Sequence, residues 1–336
     1  MTWKGDLLKA GISSDGTNID VAGNLSVLGV PVVGSTFGDA YFVDYRNGLD
    51  TNNGKTRTTA FKTLSAAIDA VTTNNNDVIF IDGDSTVVET AMVTLSKNRV
   101  HIVGCNGPAG HYGAGAKVSV GATTDATDIC TFQNTGVRNT ISNVKFMNAN
   151  TVAEGLYSVV EAGEYARYFN CEFYKSTDLD VTGAAELVAN GDSTMYYNCT
   201  IGSSANAISG AIIRANVLFT KGIVSGKVAR DNYFEGCILW RRSSNVANRF
   251  VYGANAADIE RFCIFKSCLF ANAKNAAAVP AQNVAFGSSL TVGEVLLWDC
   301  VSLNAATAMS TTTGVFVQGY TPDATGAAAG IPIQAA

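Results

Sequence analysis

NCEF (residues 170–173) and NCTI (198–201) are two copies of one short pattern: a small or polar residue, then Cys, a variable residue and a large apolar one. Working outward, the pattern recurs as NVKF (143–146), GCIL (236–239), SCLF (267–270) and DCVSL (299–303). Counted at Val144, Cys171, Cys199, Cys237, Cys268 and Cys300, the intervals are 27, 28, 38, 31 and 32 residues. A period in that range, broken by irregular insertions, is the signature of a solenoid. Polar and apolar residues alternate within each copy, which makes the unit a β-coil and not a helix pair.

A second strand repeats with the first. SVVEAG (158–163) and ELVANG (186–191) each end in a glycine eight residues before the next cysteine, Gly163 before Cys171 and Gly191 before Cys199. FVYG (250–253) and VAFG (284–287) read as the same strand with longer insertions after it. Two strands and two bends per copy are expected.

Composition fits a compact chain with many tight bends: 33 Gly, five Pro, 47% hydrophobic and 15% charged residues. A net charge of −5 and the lack of a basic run give no footprint for nucleic acid. The densest positive spot, Arg241 and Arg242, reads as a solvated face. No apolar run of about 18 residues is present, so no membrane span is expected. The opening MTWKGDLLKAGISSDG meets Asp6 and Lys9 too early for a signal-peptide core, which leads us to expect synthesis and retention in a cytoplasm until assembly.

Five of the eight cysteines occupy one phase of the repeat. Side chains at one phase of stacked coils lie about 4.8 Å apart. Val144, Cys171, Cys199, Cys237, Cys268 and Cys300 are therefore expected to form an inward structural ladder of small apolar groups. Parallel side chains point the same way, poor geometry for bridging, so free thiols are expected. Without a Cys-x-x-Cys pair or a histidine partner, no metal site is expected, and no cofactor.

The chain divides into an N-terminal arm or attachment segment (1–40), a coil region (41–305), and a C-terminal strand with an extended tail (306–336). In the arm, NIDVAGNLSVLGVPVV (18–33) alternates like a short hairpin or extended segment. Phe61, Leu64, Ile68 and Val71 fall at helical spacing and predict a helix near 59–72 with Thr58 or Thr59 as cap. VIFID (78–82), MVTLS (92–96) and VHIVG (100–104) follow as strands, and GVFVQGY reads as a last strand.

The order AFKTLSAAIDAV, DVIFIDGD, MVTLSKNRVHIVGCNG resembles the start of right-handed parallel β-helix proteins of the pectate-lyase-like superfamily. The resemblance spans about residues 41–305 as architecture, its specific part about 57–107. It implies an all-β, single-stranded parallel β-helix whose first coil is covered by a short capping α-helix. It implies little chemistry, because that superfamily holds polysaccharide lyases, hydrolases, phage tailspikes and non-catalytic virion proteins.

Catalysis in such a fold needs clustered carboxylates, either to hold a cation or to act as an acid and base about 5–9.5 Å apart. Candidate pairs are Asp82 with Asp84, Asp125 with Asp128, Asp178 with Asp180, and Asp231 with Glu235. Asp178, Asp180 and Glu235 are the acid candidates, though no pair has a partner one repeat away. His101, between inward Val100 and Ile102, reads as an outward surface residue, and His111 lies in the loop GPAGHYGAGAK. The glycines of that loop, Gly107, Gly110, Gly113 and Gly115, do not follow a strand-to-helix phosphate pattern.

Tyr165, Tyr168, Phe169, Tyr174, Tyr196, Tyr197, Tyr233, Phe234 and Trp240 recur beside the cysteine strand. Those on the outer face would form a sugar-binding strip or a partner surface. Flanking arms, the missing signal and the missing stacked carboxylate site lead us to expect a non-enzymatic structural protein of a bacteriophage virion, a capsid decoration protein assembled as a homotrimer. The competing expectation is a tailspike that binds or cleaves host polysaccharide.

Overall fold

The computed structural model describes residues 38–318 apart from 83–86, 106–115, 122–126, 151–154, 176–180, 209–212, 244–246, 274–281, 291 and 304–308, with four short strands before residue 38. Those four pair as two antiparallel hairpins, Ile12–Ser14 with Ile19–Val21 and Leu25–Val27 with Val30–Val32. From Ala40 onward the chain winds as a right-handed parallel β-helix with three parallel sheets. Sheet I has ten strands, from Ala40–Asp44 to Val315–Gln318. Sheet II has eight, from Val87–Glu89 to Val301–Leu303, and sheet III seven, from Val93–Leu95 to Val284–Phe286.

Each full coil therefore carries three strands and not two. In one coil these are Thr140–Ser142 in sheet I, Val144–Asn148 in sheet II and Tyr157–Glu161 in sheet III. The sheet I strand escapes a sequence reading because one residue, Asn143, separates it from the sheet II strand. The two run together as a single apolar stretch.

That one residue makes the corner. Asn143, Asn170, Asn198, Gly236, Ser267 and Asp299 all have left-handed backbone, with φ of 58°, 51°, 52°, 63°, 52° and 51°. Asn, Asp and Gly tolerate this region best, which explains the residue types before the ladder position. Each of the six donates its N–H to the next coil, to the carbonyls of Phe169, Tyr197, Glu235, Lys266, Trp298 and Gln318 at 2.8–3.1 Å. A second corner, from sheet III into sheet I, repeats the device at Arg138, Tyr165, Ser193 and Asp231. Gly163 serves another need there: a Cβ would sit 2.1 Å from the Gly136 carbonyl oxygen of the preceding coil.

After the corner come the ladder residues. Val144, Cys171, Cys199, Cys237, Cys268 and Cys300 are buried, and the cysteines are free. Their thiols reach the preceding coil, as Cys237 Sγ to the Tyr196 carbonyl at 3.4 Å and Cys300 Sγ to that of Phe265 at 3.3 Å. Burial pushes the Cys199 and Cys268 thiols well above their ordinary range, so they stay protonated. Inward rings form a second column: Tyr168 on Tyr196 at 5.2 Å, Tyr196 on Phe234 and Phe234 on Phe265 each at 4.4 Å.

The helix is shorter than expected, Leu64–Ala70, and its cap is Thr63, whose hydroxyl accepts from the Ala66 N–H at 3.1 Å. Thr58 and Thr59 instead lie in a 3-10 turn, Arg57–Thr59. Phe61 is extended, bridging Val43 and donating to the Phe42 carbonyl at 2.9 Å, which delays the helix start. Buried Glu89 accepts from the Leu64 N–H at 2.7 Å, satisfying an orphan donor of the first turn, and from the Ser65 hydroxyl at 3.0 Å. Phe61, Leu64, Ile68 and Val71 are all buried over the first coils. Each large side chain contributes about 2 kcal/mol through the area it removes from water.

At the other end, Val315–Gln318 pairs in parallel with Glu294–Trp298 and extends sheet I past residue 305. The corner geometry sets one expectation. Asn170→Ala should destabilise the fold by about 1–2 kcal/mol and Asn170→Gly by clearly less, because the cost lies in left-handed backbone. Urea unfolding of both variants checks this; equal losses would place the role in the side chain and its 3.3 Å bond to Asn143.

Candidate functional site

Asp84, Asp125, His111, Asp178 and Asp180 lie outside the described residues, as do Gly107, Gly110, Gly113 and Gly115. The remaining candidates are not gathered at one place. Buried Asp128 accepts from the Met92 N–H at 2.8 Å and fixes a turn. Asp82 is in register with Asp44 at the edge of a shallow depression lined by Phe42, Arg57, Phe80 and Cys105. Asp44 is already engaged by Asn47 and Arg46; although burial pushes the other way, these bonds hold its carboxyl below the usual range.

Asp231 and Glu235 do not form a pair. Glu235 stands on the outer face of sheet I, where Lys266 of the next coil donates to it at 2.9 Å and the Tyr233 hydroxyl at 3.1 Å. The Lys266 bond first, then that of Tyr233, holds its carboxyl below the ordinary value. A general acid needs the opposite shift. Asp231 is bound by Arg261 at 2.6 Å, and Asp192, Glu260 and Glu164 meet Arg230, Arg261 or Lys227 along the same corner. Each of these carboxylates is thus neutralised by a cation from another coil. No group of three or more His, Cys, Asp or Glu able to hold a metal occurs among the described residues.

His101 is half-buried and not a free surface residue. Burial lowers its pKa, and its Nδ1 has no partner among the described residues. Arg241 departs further from the solvated face expected for it: it is 2% exposed. Its Nε donates to Asn216 Oδ1 at 2.8 Å, its guanidinium lies 4.5 Å over the Phe250 ring, and burial lowers its pKa to about 9. The reason is phase, because Cys237, Leu239 and Arg241 are alternate residues and all point inward. Arg242 is the exposed member of the pair.

One perturbed carboxylate had no advance signal beyond breaking an apolar column. Glu161, fully buried, accepts from both the Tyr168 hydroxyl (2.5 Å) and the Gly163 N–H (2.6 Å). Asn134 Nδ2 of the preceding coil donates to both its oxygens, at 3.1 and 2.9 Å. Burial raises its pKa to about 7 against the pull of these bonds. The value suits acid–base work, but the side chain faces the solenoid interior, beyond reach of a polymer. It is a core network.

The outer face of sheet I is aromatic. Phe169 and Tyr197 stack at 5.2 Å with planes 8° apart, and Tyr233 follows at 6.1 Å, tilted by 59°. In the later coils Phe262, Trp298 and Phe316 are exposed, with half-buried Ile264 and Leu296 between them. Tyr168, Tyr196 and Phe234 point inward instead. Stacking turns the faces of Phe169 and Tyr197 toward each other and their edges outward. Such a column presents apolar edges, not the flat platform on which a pyranose ring stacks.

The sequence matches no protein-family profile and no curated protein. Among solved structures, a pectate lyase is 15% identical with a TM-score of 0.52, over 80% of this chain and 64% of that one. A pectin methylesterase from Aspergillus niger is 13% identical with a TM-score of 0.54, over 90% of this chain and 91% of that one. At these identities the likeness shows the fold alone: a right-handed parallel β-helix.

Glu161 makes stability depend on pH with a defined sign. Its carboxyl is raised in the fold from 4.5 to about 7, so its stabilising contribution is full below 4.5 and declines as pH rises through 7. From pH 5 to pH 8 the natural protein should lose up to about 3 kcal/mol relative to Glu161→Gln. Urea midpoints of the two proteins at both pH values measure this; parallel pH dependences would show that Glu161 is ionised throughout.

Proposed function

We propose that this chain is a non-enzymatic structural protein of a bacteriophage particle, a homotrimeric decoration protein of the capsid. The observation that carries the reading is charge compensation on the outer face. Asp192, Asp231, Glu235 and Glu260, carboxylates of sheet I and its corner in the middle coils, are each held by lysine or arginine from another coil. A face built this way adds rigidity between coils and occupies these four carboxylates.

Two further observations support a mechanical role. The ladders satisfy backbone groups coil after coil, which gives a stiff prism, and the exposed rings of Phe262, Trp298 and Phe316 suit a protein surface. The hairpins before residue 38 serve as the attachment arm in this reading.

Light scattering on the purified chain should give three copies per particle, and Phe262→Glu with Trp298→Glu should shift the population toward one. Incubation with host capsule or lipopolysaccharide should release no reducing sugar, and quantitative gels of purified particles should show copies on the scale of the coat protein. Sugar release would overturn the reading in favour of a tailspike that binds or cleaves polysaccharide, with Asp178 and Asp180 the first residues to change. A few copies per particle would place the protein in the tail.

A further inference from the structure

Three arginines meet where sheet II turns into sheet III. Arg241 enters this corner from the sheet II strand Ile238–Ser243, Arg214 stands just before the sheet III strand Ala215–Phe219, and Arg249 opens the next one, Arg249–Gly253. Arg241 and Arg214 are 2% and 1% exposed, and Arg249 is half-buried. The Arg249 N–H donates to the Arg214 carbonyl at 3.1 Å, and the charges of both act on Arg241.

These charges are not balanced. Among the described residues Glu186 is the one carboxylate that acts on Arg241, and it is already held by Arg214 at 2.5 Å. The acceptors that Arg241 reaches, Asn216 Oδ1 and the Arg249 carbonyl, are neutral. The sequence adds no acid: the stretches 204–213, 242–248 and 273–283, on the way from sheet II to sheet III in three successive coils, contain neither Asp nor Glu. One donor is also left over. Arg241 Nη1 is closed to solvent and has no acceptor among the described residues. A guanidinium keeps its charge at neutral pH, so a charged donor stays buried and unbonded there, which is costly.

We propose that a chloride ion, or another monovalent anion of its size, binds inside this corner against Arg241 Nη1 and offsets the charge that Glu186 leaves unbalanced. A spherical monoanion suits the place because it accepts from any direction. A phosphate or carboxylate would bring several oxygens, each needing its own donor in an interior closed to solvent. Because Nη1 is closed off, the ion is taken up as the coils stack, and binding is linked to folding. The inference is independent of the particle in which the protein acts.

Urea unfolding of the full chain tests it, at constant ionic strength with chloride replaced by gluconate, an anion too bulky for the site. Between about 1 mM and about 150 mM chloride the unfolding constant should fall at least about tenfold, as mass action on one site requires. Arg241→Met keeps an unbranched apolar stem and removes the charge, and should abolish that dependence. Crystals of the natural protein grown in bromide should show an anomalous peak within hydrogen-bond reach of Arg241 Nη1, a result that stands even where the variant does not fold. Equal unfolding constants in chloride and gluconate, a dependence left unchanged by Arg241→Met, or bromide confined to the surface would each overturn the proposal.

Discussion

A parallel solenoid can stack only if every coil turns at the same place, and here that place is a single residue in left-handed backbone. For most L-residues this conformation costs about 1–2 kcal/mol. Its N–H then points along the stack and bonds a carbonyl of the next coil, at 2.8–3.1 Å in six coils. The corner has no room to vary in length. Insertions are therefore pushed elsewhere, such as the long strand Thr200–Ile208 and the segment 220–231, which together make the longest interval in the repeat. The position after the corner is equally constrained, since its side chain enters the core against the coil before it. Val and Cys are small enough to repeat there without forcing coils apart.

The same stacking explains how charge is accommodated inside. Where sheet II strands leave for variable segments, backbone carbonyls lose their ladder partners, and buried cations replace them. Lys175 Nζ donates to the carbonyls of Asn150 and Gly155, each at 2.7 Å, and Arg241 bonds the Arg249 carbonyl as well as Asn216. Arg214 meets Glu186 at the same corner. Burying an unpaired charge is far more costly than burying a bonded one. These side chains thus belong to the structure of the irregular corner, as Glu161 belongs to the regular one.

How much of this was legible in the sequence follows from which positions the stack constrains. The corner residue, the small ladder residue and the apolar residue two further on keep constant spacing, so the solenoid, its parallel sense and the ladder from Val144 to Cys300 could be read. The sheet III strand Ala215–Phe219 and the sheet I strands of the middle coils could not, because no glycine or insertion marks their ends, whereas VIFID, VHIVG and GVFVQGY at the two ends of sheet I could. The charge of Arg241 points to solvent, but its phase with Cys237 and Leu239 turns it inward. Thr63 was hidden behind Phe61, whose helical spacing is met by an extended residue bridging Val43. The candidate acids were legible only as residue types. Whether Glu235 meets Lys266 depends on register across 31 positions, which local pattern does not carry.

That register bears most directly on chemistry. A parallel stack places side chains from successive coils about 4.8 Å apart, close enough to build either an acid–base pair or an ion pair from the same two positions. The difference lies in the sign chosen at each rung. Along sheet I the outer column runs Phe169, Tyr197, Glu235, Lys266, Trp298, so the acid is followed at once by a base and flanked by rings. Along the corner, Asp192, Arg230, Asp231, Glu260 and Arg261 are interleaved so that two arginines bridge three carboxylates. Exposed pairs like these contribute little singly, but a network that ties three successive coils resists shear between them. A catalytic face in this fold would need a carboxylate left without its cation. On the rungs that carry Asp192, Asp231, Glu235 and Glu260, those positions are used to hold the coils together.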